Sequence, residues 1–191
     1  MTLKEIIKRQ IFTRIPWIRL EAPIRNTEDA RSASAYIEVI EQFRVEANPR
    51  YEPRDGKTYC NIFVWDVTAA MNAEIPHWVC PDGSPGGPGV AHAARQNCNA
   101  MYSWLIKHGQ SCGWKKLSQE AQAQVLADEG RPVIAIWPNP DPDGHGHLVI
   151  IRPWMQGDDE ITCAQAGESS FSKGTLSVAF RRGTPEFWYH E

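Results

Sequence analysis

Nothing in the 191 residues approaches the run of about 20 apolar side chains that a membrane-spanning helix requires. The N-terminal stretch MTLKEIIKRQIFTRIPWIRL is broken by Lys4, Glu5, Lys8, Arg9 and Arg14 before an apolar core of secretory-signal length develops. Ile6, Ile7 and Ile11 there fit one face of a short helix docked at the domain edge. The chain is thus read as made in the cytoplasm without a recognisable signal peptide. An excess of basic charge is missing too. Lys and Arg number 20 against 23 Asp and Glu, a net charge of −3 with a pI near 6.1. That balance excludes a nucleic-acid-binding face spread over the whole domain. No internal repeat and no dividing linker is visible, so residues 1–191 read as one domain.

Cysteine is sparse and poorly spaced for metal. The five cysteines, Cys60, Cys80, Cys98, Cys112 and Cys163, form no CxxC pair and no zinc-finger spacing. Their number is odd, so at least one thiol has no partner within the chain, while Cys80, Cys98, Cys112 and Cys163 allow either two disulfides or four free thiols. A serine nucleophile on a sharp elbow needs a pattern like G-x-S-x-G, and Gly167-Glu168-Ser169-Ser170-Phe171 fails it.

What is present is ordinary globular composition, 42% hydrophobic and 23% charged, with eight Trp. Helical spacing predicts helices over Thr27–Phe43, Thr58–Met71 with Thr58 as cap and Asn72 as left-handed stop, His92–His108 ending at Gly109, and from a Ser118 cap to Gly130. The Cys80–Gly89 segment, with four Gly and three Pro, reads as a surface loop at the mouth of a site. After Pro132 the period changes to two. Strands are predicted at Val133–Trp137, His147–Arg152, Ile161–Ala166, Leu176–Phe180 and Phe187–His190. Helices followed by a strand meander indicate an α+β domain, with helices packed on a small antiparallel sheet. Residues 1–45 form an N-terminal helical extension, and 80–130 insert a loop and two helices.

Cys60 falls in the first turn of a helix that is apolar nearly all round. Unsatisfied N–H groups and the positive end of the helix dipole favour a thiolate there and would stabilise an oxyanion. Against this stands the bland reading of Cys60 as a small buried hydrophobe. A base shifts the balance. His147 opens the strand HLVIIR, where alternation places His147, Val149 and Ile151 on one face. An imidazole in that position can take a thiol proton and return it to a leaving amine. One strand later, Gln165 shares a face with Ile161 and Cys163 and can orient the ring.

A cysteine opening a buried helix, then Gly-His on a strand, then a polar residue one strand on, resembles the papain-like NlpC/P60 and CHAP group over about Tyr51 to Ala166. The resemblance implies a papain-like fold and amide-bond hydrolysis through a thioester, with bacterial peptidoglycan as the leading substrate. It implies Cys60 as nucleophile, His147 as base, Gln165 as orienting residue and no cofactor. The chain departs from that group in Asn61-Ile62-Phe63-Val64 after the cysteine, in the long interval to His147, and in Gln at the third position. Reaching the wall would require lysis, a phage-type particle or a secretion system, with room for an immunity or carrier protein. Tyr51 or Tyr59 would complete an oxyanion hole, and Trp78 and Trp114 would line a groove for sugar or peptide, although buried packing is the commoner fate of such residues.

Two other readings compete. Asp141, Asp143, His145 and His147 in NPDPDGHGH are suitable ligands for a divalent metal, though Asp and Gly are equally what a tight turn needs. A papain-like shell rich in Trp could also bind cell-wall glycan or a protein partner without cleaving it.

Overall fold

The change of period at Pro132 divides the molecule, and the computed structural model shows what each half builds. It describes residues 16–141 and 143–191. The helix expected around Ile6, Ile7 and Ile11 lies outside them. The architecture is α+β, as the element order indicates. Helices α1 (Ala33–Gln42), α2 (Cys60–Ala70), α3 (Cys98–Trp104), α4 (Ala121–Asp128) and the short α5 (Leu176–Ala179) accompany a six-stranded sheet. Its strands are β3 (Trp114–Lys116), β4 (Val133–Trp137), β5 (His147–Ile151), β6 (Thr162–Gln165), β7 (Phe171–Thr175) and β8 (Glu186–His190), in the order β3-β8-β4-β5-β6-β7 with every neighbouring pair antiparallel. A separate two-stranded hairpin joins β1 (Trp78–Val79) to β2 (Ala94–Arg95). Among the described residues no helix is long and apolar enough to cross a membrane.

β4 and β5 are the apolar centre: Val133 to Ile136 and Leu148 to Ile151 are all fully buried. α2 lies across β5 and β6. Every residue of α2 except Asn61 is buried, which is what a helix with apolar residues all round requires. Its one acid, Asp66, is neutralised inside. Arg50 Nε donates to Asp66 Oδ2 at 2.7 Å, Arg50 Nη2 to Oδ1 at 3.0 Å, and the Tyr51 hydroxyl to Oδ2 at 2.8 Å. Removing one partner of such a pair leaves the other charge buried without compensation. Asp66→Ala is therefore expected to lower the unfolding free energy by about 3–5 kcal/mol, read as a lower urea midpoint with an unchanged m value.

Several boundaries move for physical reasons. α1 begins at Ala33, not near Thr27, because Ser32 caps it by accepting the Ala35 N–H at 3.2 Å while Arg31 is extended. Tyr59, not Thr58, occupies the N-cap of α2, with no side-chain cap, and Asn72 does stop the helix with a φ of 56°. The helix expected from His92 starts only at Cys98, where Asn97 caps the Ala100 N–H at 2.9 Å. Before it, Ala94 and Arg95 are held in the hairpin. It runs on past Gly109 through tighter and wider turns to Gly113, whose φ of 83° ends it. Ser118 is not a cap, since α4 starts at Ala121; Gly130, at φ 83°, is its stop as expected.

The largest correction is at Leu176–Phe180, expected as a strand. The strand is Phe171–Thr175, and Leu176–Ala179 is a helical turn. Thr175 pairs with Thr162, the first residue of β6, the Leu176 N–H goes to the Ile161 carbonyl, and the chain then closes a helical turn in which the Phe180 N–H reaches the Leu176 carbonyl. Residues 80–130 also give the main sheet its edge strand β3, paired with β8.

Candidate active site

Three side chains from three elements converge. α2 presents Cys60 at its first turn, 5% exposed. β5 presents His147 at its first position, and β6 presents Gln165, which is buried. The observed register pairs Ile151 with Cys163 and Ile150 with Ala164. Continued by the period of two, it places Val149 opposite Gln165 and makes His147 its diagonal neighbour on the same face. The two side chains meet: His147 Nε2 and Gln165 Oε1 are 2.7 Å apart.

The proton positions follow from Gln165. Its Nε2 donates to the Ser169 carbonyl at 2.8 Å, and a carbonyl only accepts. Oε1 therefore faces the ring, and His147 Nε2 must be the protonated nitrogen. Nδ1 remains as the atom that can share the Cys60 proton. The two groups interact, and each changes the other. Burial alone would push the Cys60 thiol up. The hydrogen bond and charge of His147, with the backbone N–H groups of Leu148 and Asn61, outweigh it and hold the thiol below its ordinary value. Burial likewise disfavours the imidazolium, but the bonds to Cys60 and Gln165 raise His147 above its ordinary value. The arrangement favours a thiolate–imidazolium pair.

The other cysteines contrast with it. All five are free thiols. Burial and the nearby Cys60 push Cys98 up, and burial pushes Cys163 up to about 12. Neither is a nucleophile at neutral pH.

The Cys60 N–H donates to no group among the described residues, as a first-turn N–H has no carbonyl before it in the helix. That leaves a donor beside the sulfur for an oxyanion. Tyr59 is adjacent and half-buried, its ring 4.8 Å from the Arg54 guanidinium. Trp78 sits half-buried on β1, donating its Nε1 to the Trp17 carbonyl at 3.0 Å. Its hairpin leads by Gln96 to α2, where Asn61 Nδ2 donates to the Gln96 carbonyl at 2.8 Å.

Tyr51 and Trp114 do not join the site. Tyr51 is fully buried, with its hydroxyl committed to Asp66 on the inner side of α2. Trp114 is the inward-facing residue of the edge strand β3, fully buried against the His190 ring at 5.5 Å. Nor do Asp141, Asp143, His145 and His147 converge as ligands. Asp141 Oδ1 accepts the Asp143 N–H at 3.0 Å as part of a turn, His145 is exposed, and His147 faces Cys60 and Gln165. Among the described residues no three His, Cys, Asp or Glu form a group able to hold a metal ion.

Phe180 was not foreseen as part of the site. Its ring stands edge-on to His147 at 5.4 Å, a wall supplied by the segment after α5. The alternation of Leu176, Val178 and Phe180 imitates a strand and gives no sign of this contact.

Gln165→Ala tests the arrangement. Loss of an orienting group of this kind is expected to lower turnover by about 10- to 100-fold. The Gln165 bond raises His147, so without it the imidazolium persists over a narrower range. The alkaline limb of the pH–rate profile is expected to move to lower pH.

No protein-family model and no curated protein sequence matches this chain.

Proposed function

We propose that the protein is a papain-like cysteine hydrolase that cleaves an amide or peptide bond through a thioester, with bacterial peptidoglycan as its substrate. The observation that carries the reading is the connected Cys60–His147–Gln165 relay, with the sulfur at a helix N-terminus and the ring nitrogens assigned by the Gln165 amide. The peptidoglycan assignment is supported by the sequence resemblance to NlpC/P60 and CHAP enzymes.

The chemistry follows from the geometry. The Cys60 thiolate attacks the carbonyl carbon, and the oxyanion is stabilised by the Cys60 N–H and the dipole of α2. The His147 imidazolium donates its Nδ1 proton to the departing amine as the C–N bond breaks, leaving a thioester. Water then attacks the thioester with His147 Nδ1 as base, releasing the acid and restoring the thiol. Gln165 keeps the Nε2 proton in place throughout, so Nδ1 is always the working atom. The enzyme would act on the wall after lysis or after delivery by a particle or secretion system.

Mass spectrometry of purified peptidoglycan incubated with the wild type and with Cys60→Ala tests this reading. New amine termini in the wild-type digest alone support it. Identical profiles, with both proteins folded, would remove the wall-hydrolase assignment and leave a binding role or a deamidase or transamidase acting on protein.

A further inference from the structure

The approach to β5 is held from outside the sheet. Asn99, in the first turn of α3, accepts the Asn139 N–H on Oδ1 at 2.9 Å, and its Nδ2 reaches the carbonyls of Asn139 and Gly144 at 3.4 Å each. Asn139 in turn donates from Nδ2 to the His145 carbonyl at 3.3 Å. The contact then closes on the residue before the base. A Cβ on Gly146 would lie 2.6 Å from Asn99 Oδ1, 2.7 Å from the Trp137 carbonyl and 3.0 Å from Cys98 Sγ. That is why this position is glycine. On its other side the lead into α3 is tied to the nucleophile helix, since Asn61 Nδ2 donates to the Gln96 carbonyl. One helix start therefore touches the neighbour of Cys60 and the neighbour of His147.

We propose that Asn99 is a positioning residue for His147: by bracing Asn139 and Gly144 against α3, it fixes where β5 begins and so the reach of the imidazole to Cys60. The inference rests on the assignment of His147 as the base of Cys60. It gives the Asp- and His-rich turn, which by composition suits a metal, a different task. A positional error well under an ångström at the imidazole weakens the shared proton, and larger ones cost about 100-fold in rate.

The test needs no substrate. Cys60 in the full chain is alkylated with iodoacetamide across the pH range, and the labelled peptide is quantified by mass spectrometry. In Asn99→Ala the midpoint of labelling is expected to rise by about one pH unit, equivalent to about a tenfold lower thiolate fraction at pH below it. Gly146→Ala, which pushes on the same contact from the other side, is expected to shift it in the same direction. Ser103→Ala is expected to leave it unchanged, because Ser103 donates to the Asn99 carbonyl from the exposed face of α3 at 3.1 Å. A lower melting temperature with an unmoved midpoint in Asn99→Ala would make Asn99 merely structural and overturn the proposal. If that variant does not fold, Gly146→Ala decides alone by the same criterion. An ordinary thiol midpoint in the wild type would instead overturn the assignment of the base, a separate outcome.

Discussion

Cys60→Ala is expected to abolish amide cleavage and leave the fold in place. The sulfur is the only atom in the arrangement that can form the acyl intermediate, and removing a nucleophile of this kind typically costs on the order of 10⁶ in turnover. Cys60→Ser is expected to be nearly as inactive. A hydroxyl keeps the hydrogen bond to His147, but its proton is far harder to remove than a thiol's. The fold is spared because the sulfur makes no structural bond: all five cysteines are free, and α2 is anchored by its apolar faces and by the Arg50–Asp66 pair. The check is release of new amines from peptidoglycan, beside near-ultraviolet circular dichroism and the melting temperature of each variant. Inactivity together with a native spectrum is the expected pair of results.

His147→Ala is expected to cost a comparable factor, about 10⁴–10⁶, and also to change the shape of the pH profile. In the wild type the rate rises as Cys60 loses its proton below the ordinary thiol range, because His147 outweighs the effect of burial. It stays high while the ring is imidazolium, and falls as pH passes the raised His147 value, since the departing amine then lacks its proton donor. A bell-shaped profile follows. Without the imidazole only burial and backbone donors act on the sulfur, and burial pushes the thiol up. Residual activity is then expected to climb with pH without a plateau near neutrality. Rate against pH for both proteins, on the same digest, reads this directly.

The parts of this arrangement that were legible in the sequence are those that repeat. The continuous apolar runs in Val133–Trp137 and His147–Ile151 mark two buried strands, and the strand period of two places His147 with Val149 and Ile151 on one face. An apolar helix opening at Cys60 follows from Ile62-Phe63-Val64-Trp65, and Asn72 and Gly130 end their helices in the left-handed conformation. What periodicity carries poorly is anything at an edge. β7 is a half-buried edge strand, so Phe171-Ser-Lys-Gly-Thr175 lacks the pattern that Leu176, Val178 and Phe180 imitate. β3 has three residues and only Trp114 is buried. Specific polar partnerships are equally invisible to a pattern. Tyr51 lies nine residues before the nucleophile in sequence, yet its hydroxyl belongs to Asp66. Asn99 meets Asn139 across 40 positions through a single amide. Cys60 and His147 announce themselves by the elements they begin; the residues that place them depend on register, which no local signal sets.

The central claim is that Cys60 is an activated thiolate because His147 is beside it. Its most direct test is the pH dependence of iodoacetamide labelling at Cys60, with free N-acetylcysteine in the same solution as the reference thiol. Cys60 labelling is expected to reach its midpoint clearly below that of the reference thiol, and His147→Ala to remove the difference. Parallel titration of Cys60 in the wild-type protein and of the free reference thiol would contradict it.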